Sequence, residues 1–326
     1  MTTNNVRDNI NKKEEQVVKN TRNFIIGFMD FYDYPAEAKD TIIKAFDTME
    51  NSEFKQAFYE IANKYFKEVK IEKTVLVSEK IKDIAAQSGI HEYTLKFLLL
   101  LICAEQLLAL YRATNIPDEV YYNTMYDLKA KLNECKTVKN VWGTFTSGWY
   151  CGIFSMRTFG LGRLEFEMSE FPFENGYHHG GIHINKGDFV VFAHIPSGSP
   201  LTHESTYDSY RKAYNFFSDK LGNKPLVICC HSWLLYPDTK DLFKCSRHIT
   251  DFYNDFDIIT KDESEGFSNA WRVFGKDYNQ SEIDSLPGNT SLQRNFIQWL
   301  KKGGKTRNGF GVIIFDGQKI INKETV

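Results

Sequence analysis

Apolar residues recur every three or four positions through the first part of the chain and in short runs or alternation through the rest, with the change near Val138–Gly143. The spacing of Phe54, Phe58, Ile61 and Tyr65, and of Leu95, Leu98, Leu99 and Ile102, predicts helices with one buried face. IPDEVYYNTM places Pro117 beside an acidic first turn, a helix start, and the helix it opens runs to about Cys135. The most apolar stretch, FLLLLICAEQLLALY from Phe97 to Tyr111, is too short to span a bilayer and carries Glu105 and Gln106, so it reads as a buried helix.

Beyond VKNVWG, glycine, aromatic and β-branched residues rise and the apolar runs shorten. WYCGIFSM, GRLEFEMSEF, GGIHINKG and DFVVFAHIP read as successive strands. STYDSYRKAYNFFSDKL is helical, with Tyr207, Tyr210, Tyr214 and Phe217 on one face, and KPLVICCHSWLLY is a continuous apolar strand. A helix over DTKDLFKCSRHITDFYNDF follows, then strands over FDIITKDE and AWRVFG, a helix over TSLQRNFIQWLKK and a last strand, GFGVIIF. The fold class expected is α+β with a mixed α/β sheet: an arm over 1–20, an all-helical domain over 21–140, and a domain over 141–326 whose mixed, mostly antiparallel sheet is flanked by helices. Its ligand site belongs at the carboxyl ends of the central strands.

At 326 residues, with 42% hydrophobic and 15% aromatic content, the chain can bury two cores. A net charge of −2 supplies no general attraction to nucleic acid or anionic membrane, so any anion site must be local. The six cysteines show no CxxC spacing and read as reduced core residues. The polar N-terminal stretch lacks the apolar region of a signal peptide, and the expectation is a cytoplasmic protein with no membrane and no nucleic-acid partner.

The stretch from Phe192 to Tyr210, FAHIPSGSPLTHESTYDSY, passes from buried strand to small-residue turn to helix start. Ser199 or Thr202 can cap that helix, Pro200 suits its first position, and Gly198 lets backbone approach an anion without an intervening Cβ. A helix N-terminus so delivered is a phosphate site, or else an ordinary well-capped turn. HHGGIH groups histidines near His194, but no carboxylate or cysteine stands at a defined offset, and no metal is assigned. CCHSW ends an apolar strand with His231 and Ser232, which point to opposite faces and so do not pair as nucleophile and base. EKIKDIAAQSGIHEYTL mimics a helix-turn-helix, yet its second helix runs on into an apolar core helix. KKGGKTRNGFG is either a phosphate contact or a helix cap with a solvated turn.

HIPSGSPLTHEST, CCHSWLLYPDTKDLF, SRHITDFYNDF, RVFG, LPGNTSLQR and KKGG, in this order, resemble the bacterial acyltransferase domain-containing proteins, which join a helical acyltransferase-like N-terminal domain to a GNAT-like C-terminal domain. The resemblance implies a sheet whose two central strands, here DFVVFAHIP and KPLVICCHSW, splay apart to admit acyl-CoA, acetyl-CoA first among them. It implies a pyrophosphate loop drawn from Ile195, Ser197, Gly198, Ser199, Leu201, Thr202 and Glu204, and direct transfer of the acyl group to a small-molecule or peptide amine. The usual GNAT loop carries Arg or Gln followed by spaced glycines, and this turn has Gly198 alone. For the base the expectation is His194 or His231, with Glu165 or Glu167 behind them, and for the acid Ser232 or Tyr236. A non-catalytic binding protein and a hydrolase built on Ser232 or Cys230 are the competing readings. The sequence does not indicate an oligomeric state.

Overall fold

The computed structural model describes residues 19–67, 71–263, 267, 269–277 and 280–323, without the side chains of 71–76 and 280. Apart from its last two residues, the arm expected over 1–20 lies outside the described residues. The chain divides into two compact units, Met1–Arg157 and Thr158–Val326.

The first unit is helical: α1 over 19–31, α2 Ala36–Glu50, α3 Lys55–Lys67, α4 Ile71–Ser88, α5 Glu92–Ala113 and α6 Asp118–Lys139. Helix α5 is apolar on all sides, and α2, α3, α4 and α6 all pack against it. By length and composition it would pass for a membrane span, yet most of it is buried inside the unit. The helix-turn-helix mimic is the α4–α5 turn at Gly89, and burial keeps the second helix out of any DNA groove. Asp118 and Glu119 in the first turn of α6 and left-handed Asn140 after its last turn fix its ends.

This unit continues past 140. WYCGIFSM, expected as a strand, is helical: a 3₁₀ turn Ser147–Tyr150 runs into α7 Cys151–Phe154. The reason is its surroundings. Tyr150, Cys151, Ile153 and Phe154 are buried, the Tyr65 hydroxyl donates to the Ser147 carbonyl (2.7 Å), and the Tyr65 and Phe154 rings meet at 5.9 Å. With helices for neighbours and no strand to pair with, the backbone closes its own hydrogen bonds.

The second unit has β1 Thr158–Leu161, β2 Leu164–Glu170, β3 Tyr177–His179, β4 Ile182–Ile184, β5 Phe189–His194, α8 His203–Phe216, α9 Ser218–Leu221, β6 Leu226–Ser232, α10 Arg247–Asp255, β7 Asp257–Lys261, α11 Ala270–Phe274, α12 Ser291–Lys301 and β8 Gly309–Phe315. The main sheet is ordered β1-β2-β5-β6-β8-β7, antiparallel at every neighbour except the parallel β5–β6 pair. One face carries α8, whose Tyr207, Tyr210 and Tyr214 all reach Phe315 (5.9–6.4 Å). On the other, the β3–β4 hairpin packs Tyr177 and Ile184 against Val190, Val227, Cys229, Phe310, Val312 and Ile314. AWRVFG is helix α11, not a strand: Gly275, at φ +67, takes the left-handed conformation that closes a helix. DTKDLFKCSRHITDFYNDF breaks at extended Ser246 into a 3₁₀ stretch, Pro237–Cys245, and α10.

Candidate active site

Strands β5 and β6 are in register at two positions only, Val191 with Ile228 and Phe192 with Cys229. Both run on. β2 holds β5 as far as His194, paired with Glu165, and β8 holds β6 as far as Ser232, paired with Gly309. Each strand therefore stays in the sheet on its outer edge while the ladder between them stops. Where such a ladder stops, backbone N–H groups no longer paired across it can donate to a ligand's polar chain or to a developing oxyanion.

Just past β5 the chain turns through Ile195–Leu201 into α8. Thr202 is the cap, its hydroxyl accepting from Ser205 N (3.2 Å), so Pro200 and Ser199 precede the helix rather than start it. Gly198 sits at φ +122, a conformation that disfavours any side chain. Leu201 is buried and anchors the turn, whereas Gly198, Ser199 and first-turn Glu204 are exposed. Two arginines brace it. Arg163 donates twice to the Ser199 carbonyl (2.9 and 2.6 Å), and Arg272 donates to Ser197 Oγ (3.0 Å) with its guanidinium 4.4 Å from the Trp271 ring centre. Arg163 is aimed by the β1–β2 turn, where Gly162 at φ +81 lets the chain reverse and Ser209 of α8 accepts from Arg163 N (2.7 Å). The basic residues missing from the turn's own sequence are thus supplied from β1–β2 and α11.

His194 and His231 lie on the same sheet face, that of Val190 and Phe192 on β5 and of Val227 and Cys229 on β6, because side chains alternate along each strand. Each is tied to a carboxylate: His194 Nε2 to Glu167 Oε2 at 3.1 Å, His231 Nε2 to Asp262 Oδ1 at 2.8 Å. Asp262 is itself held, accepting from Asn308 Nδ2 at Oδ2 (3.0 Å) and from Arg307 at its carbonyl (3.4 Å). The basic loop KKGGKTRNGFG thus has a part in positioning that carboxylate. A carboxylate on Nε2 favours the tautomer with Nδ1 as acceptor, the form a general base requires.

Ser232 lies on the opposite face from His231, and its Oγ accepts from Leu234 N (3.2 Å), which leaves its proton available to donate. Tyr236 is buried, and its hydroxyl donates to Asp238 Oδ2 (2.6 Å). Burial pushes the Cys230 thiol up to about 12, so it holds its proton at neutral pH and is a poor nucleophile. Glu165, the cross-strand partner of His194, is buried on β2, along the edge of β5 away from the gap. The histidines and the turn are legible in the sequence, whereas Arg163, Arg272, Asp262 and Asn308 are not: Arg272 lies in RVFG, far along the chain from the turn it braces, and the others come from equally separate segments.

No curated protein sequence matches the chain. Solved structures of the same fold include an acyltransferase in complex with decanoyl-CoA and teicoplanin (TM-score 0.66, 18% identity, covering 87% of this chain and 86% of that one). Another is an acyltransferase in complex with decanoyl-CoA (TM-score 0.66, 19% identity, 86% and 84% covered), and a third an acyltransferase with CoA and 10C-teicoplanin (TM-score 0.56, 21% identity, 69% and 68% covered). Family models match both units almost end to end, the N-acyltransferase N-terminal domain over 23–156 and the GNAT-like C-terminal domain over 158–313. The chain belongs to the two-domain acyltransferase family in which an N-acyltransferase N-terminal domain precedes a GNAT-like C-terminal domain.

Proposed function

We propose that the C-terminal unit transfers an acyl group from acyl-CoA to the amine of a small molecule or peptide by direct attack. The observation that carries this reading is the parting of β5 and β6 after two paired residues, with the capped start of α8 just beyond. The pantetheine arm lies in the gap and the pyrophosphate sits against the first N–H groups of α8, with Arg163 and Arg272 alongside. The acceptor nitrogen attacks the thioester carbonyl carbon and gives its proton to His194 or His231. Backbone N–H groups of the gap hold the oxyanion, the C–S bond breaks, and the leaving thiolate is protonated from water through the Ser232 hydroxyl, which gives one proton and takes up another. Tyr236, its proton already donated to Asp238, is the weaker choice for that acid.

The acyl group is read as short. Phe310 meets Phe173 at 4.8 Å and Phe192 at 5.6 Å, an aromatic floor that fills the sheet face beside His231. Decanoyl-CoA, held by related structures, is the competing donor. A thermal-shift series from acetyl-CoA to decanoyl-CoA, with unrelated nucleotides as controls, tests the reading. Donor at about a hundredfold its Kd should stabilise the fold by roughly 2.7 kcal/mol. Amine acceptors should then release free CoA thiol. A well-folded sample that responds to no acyl-CoA would overturn the proposal, and a preference for decanoyl-CoA would overturn the short-chain part alone.

A further inference from the structure

The HHGGIH segment forms the β3–β4 hairpin, and the acyl-transfer reading does not use it. Gly180 and Gly181 sit at φ +53 and +80, both positive, as a two-residue type I′ turn requires. Such a turn makes His179 and Ile182 the hydrogen-bonded closing pair, so the next pair, His178 with His183, is of the non-hydrogen-bonded kind whose side chains stand closest. Tyr177 and Ile184 face the core while His178 and His183 are exposed. Their Nδ1 atoms share a hydrogen bond at 2.7 Å, with ring centres 4.7 Å apart.

We propose that His178 and His183 are a two-imidazole chelate for a borderline divalent transition-metal ion, Cu²⁺ or Ni²⁺. In the metal-free neutral pair one ring donates from Nδ1 to the other; on binding, that ring moves its proton to Nε2, so that both rings offer an Nδ1 lone pair to an ion lying between them. The spacing selects the geometry. With metal–nitrogen bonds of about 2.0–2.1 Å, nitrogens 2.7 Å apart subtend roughly 80° at the ion. That is close to the cis angle of square-planar or octahedral coordination, which suits Cu²⁺ and Ni²⁺, and far from the tetrahedral angle Zn²⁺ prefers. Among the described residues no group of three His, Cys, Asp or Glu side chains converges on a metal position, so water completes the shell. The type I′ turn supplies the preorganisation that makes two ligands sufficient. A bound ion would tie together two strands whose inner face packs on the cluster containing Phe310.

The test uses the full chain without an affinity tag, stripped with chelator, titrated with Cu²⁺ alone in a non-coordinating buffer and read by visible absorption and electron paramagnetic resonance. One equivalent should bind with coupling to two nitrogens. Zn²⁺ should bind more weakly. His178→Ala and His183→Gln should each weaken Cu²⁺ binding by more than about tenfold, because the second, tethered ligand acts at high effective concentration. His248→Ala, on exposed α10, should change nothing. Both hairpin variants replace exposed side chains, and circular dichroism verifies that they fold. A parent spectrum showing one nitrogen, unchanged stoichiometry and affinity in either hairpin variant, or tighter binding of Zn²⁺ than of Cu²⁺, would overturn the proposal.

Discussion

Two histidines on neighbouring strands share one face, and each is bound through Nε2 to a carboxylate. The histidines could be read directly from the sequence because they end apolar runs. Glu167 was legible as a nearby carboxylate, though not as the partner of His194; Asp262 was not, since it lies 31 residues beyond His231 and reaches that ring because β8 runs between β6 and β7. His231→Ala and His194→Ala should both leave acyl-CoA affinity unchanged, while at least one lowers turnover by about 10²–10⁴-fold, the worth of a positioned base. Asp262→Asn then separates positioning from chemistry. It replaces an acceptor with an amide whose N–H₂ can donate to Nε2 and so favour the wrong tautomer, which should cut kcat and alter its pH profile without raising KM for the donor. Full activity in both histidine variants would move the base to Glu165 or Glu167. An unchanged pH profile in Asp262→Asn would make that carboxylate structural only.

Long periodic elements were legible, whereas not every short apolar run was. Helices α5 and α6 follow from apolar and periodic stretches far longer than a strand, and β6 from a short apolar run rich in Val, Ile and Cys. WYCGIFSM and AWRVFG are too short for period to decide, and tertiary neighbours made both helical. The strand–turn–helix from β5 to α8 was legible as a unit because cap, glycine and strand all point the same way. Its bracing by Arg163 and Arg272 depends on how separate elements meet. Gly198→Val should weaken CoA binding strongly, since φ +122 disfavours a β-branched residue and its Cβ would stand between backbone and phosphate. Arg272→Ala, which removes an exposed charge, should weaken it by about tenfold and flatten the salt dependence, with Arg272→Lys retaining part of the affinity. Isothermal titration with CoA reads both. If Gly198→Val and Arg272→Ala bind like the parent, the turn is a helix cap and nothing more.

For the whole molecule, the order helical unit then sheet unit was written in the shift from a period of three and four to shorter alternation, though the junction falls at Arg157 rather than near 140 because a helical unit can recruit any short apolar segment that lacks a strand partner. One buried group links the sheet unit's stability to pH. Asp255, near the end of α10, accepts from the Tyr210 hydroxyl of α8 (3.2 Å), and burial pushes its carboxyl from an ordinary 3.8 up to about 7, with Asp251 adding to the rise and the Tyr210 bond and Lys323 opposing it. Between about pH 4 and 7 the folded chain holds a proton there that the unfolded chain has released. Stability from this group is therefore greatest at the acid end and is lost as pH rises, by at most about 1.4 kcal/mol per pH unit. Above about pH 7 both states are ionised and the slope vanishes. Asp255→Asn keeps the shape and the acceptor for Tyr210 but cannot ionise, so the variant should gain on the parent steadily from pH 5 to 7.5 and hold that lead above it. Denaturant unfolding of the two proteins side by side measures the gap, and the difference cancels every other titrating group. Parallel profiles would mean that Asp255 is ionised in the fold throughout, satisfied by partners other than Tyr210.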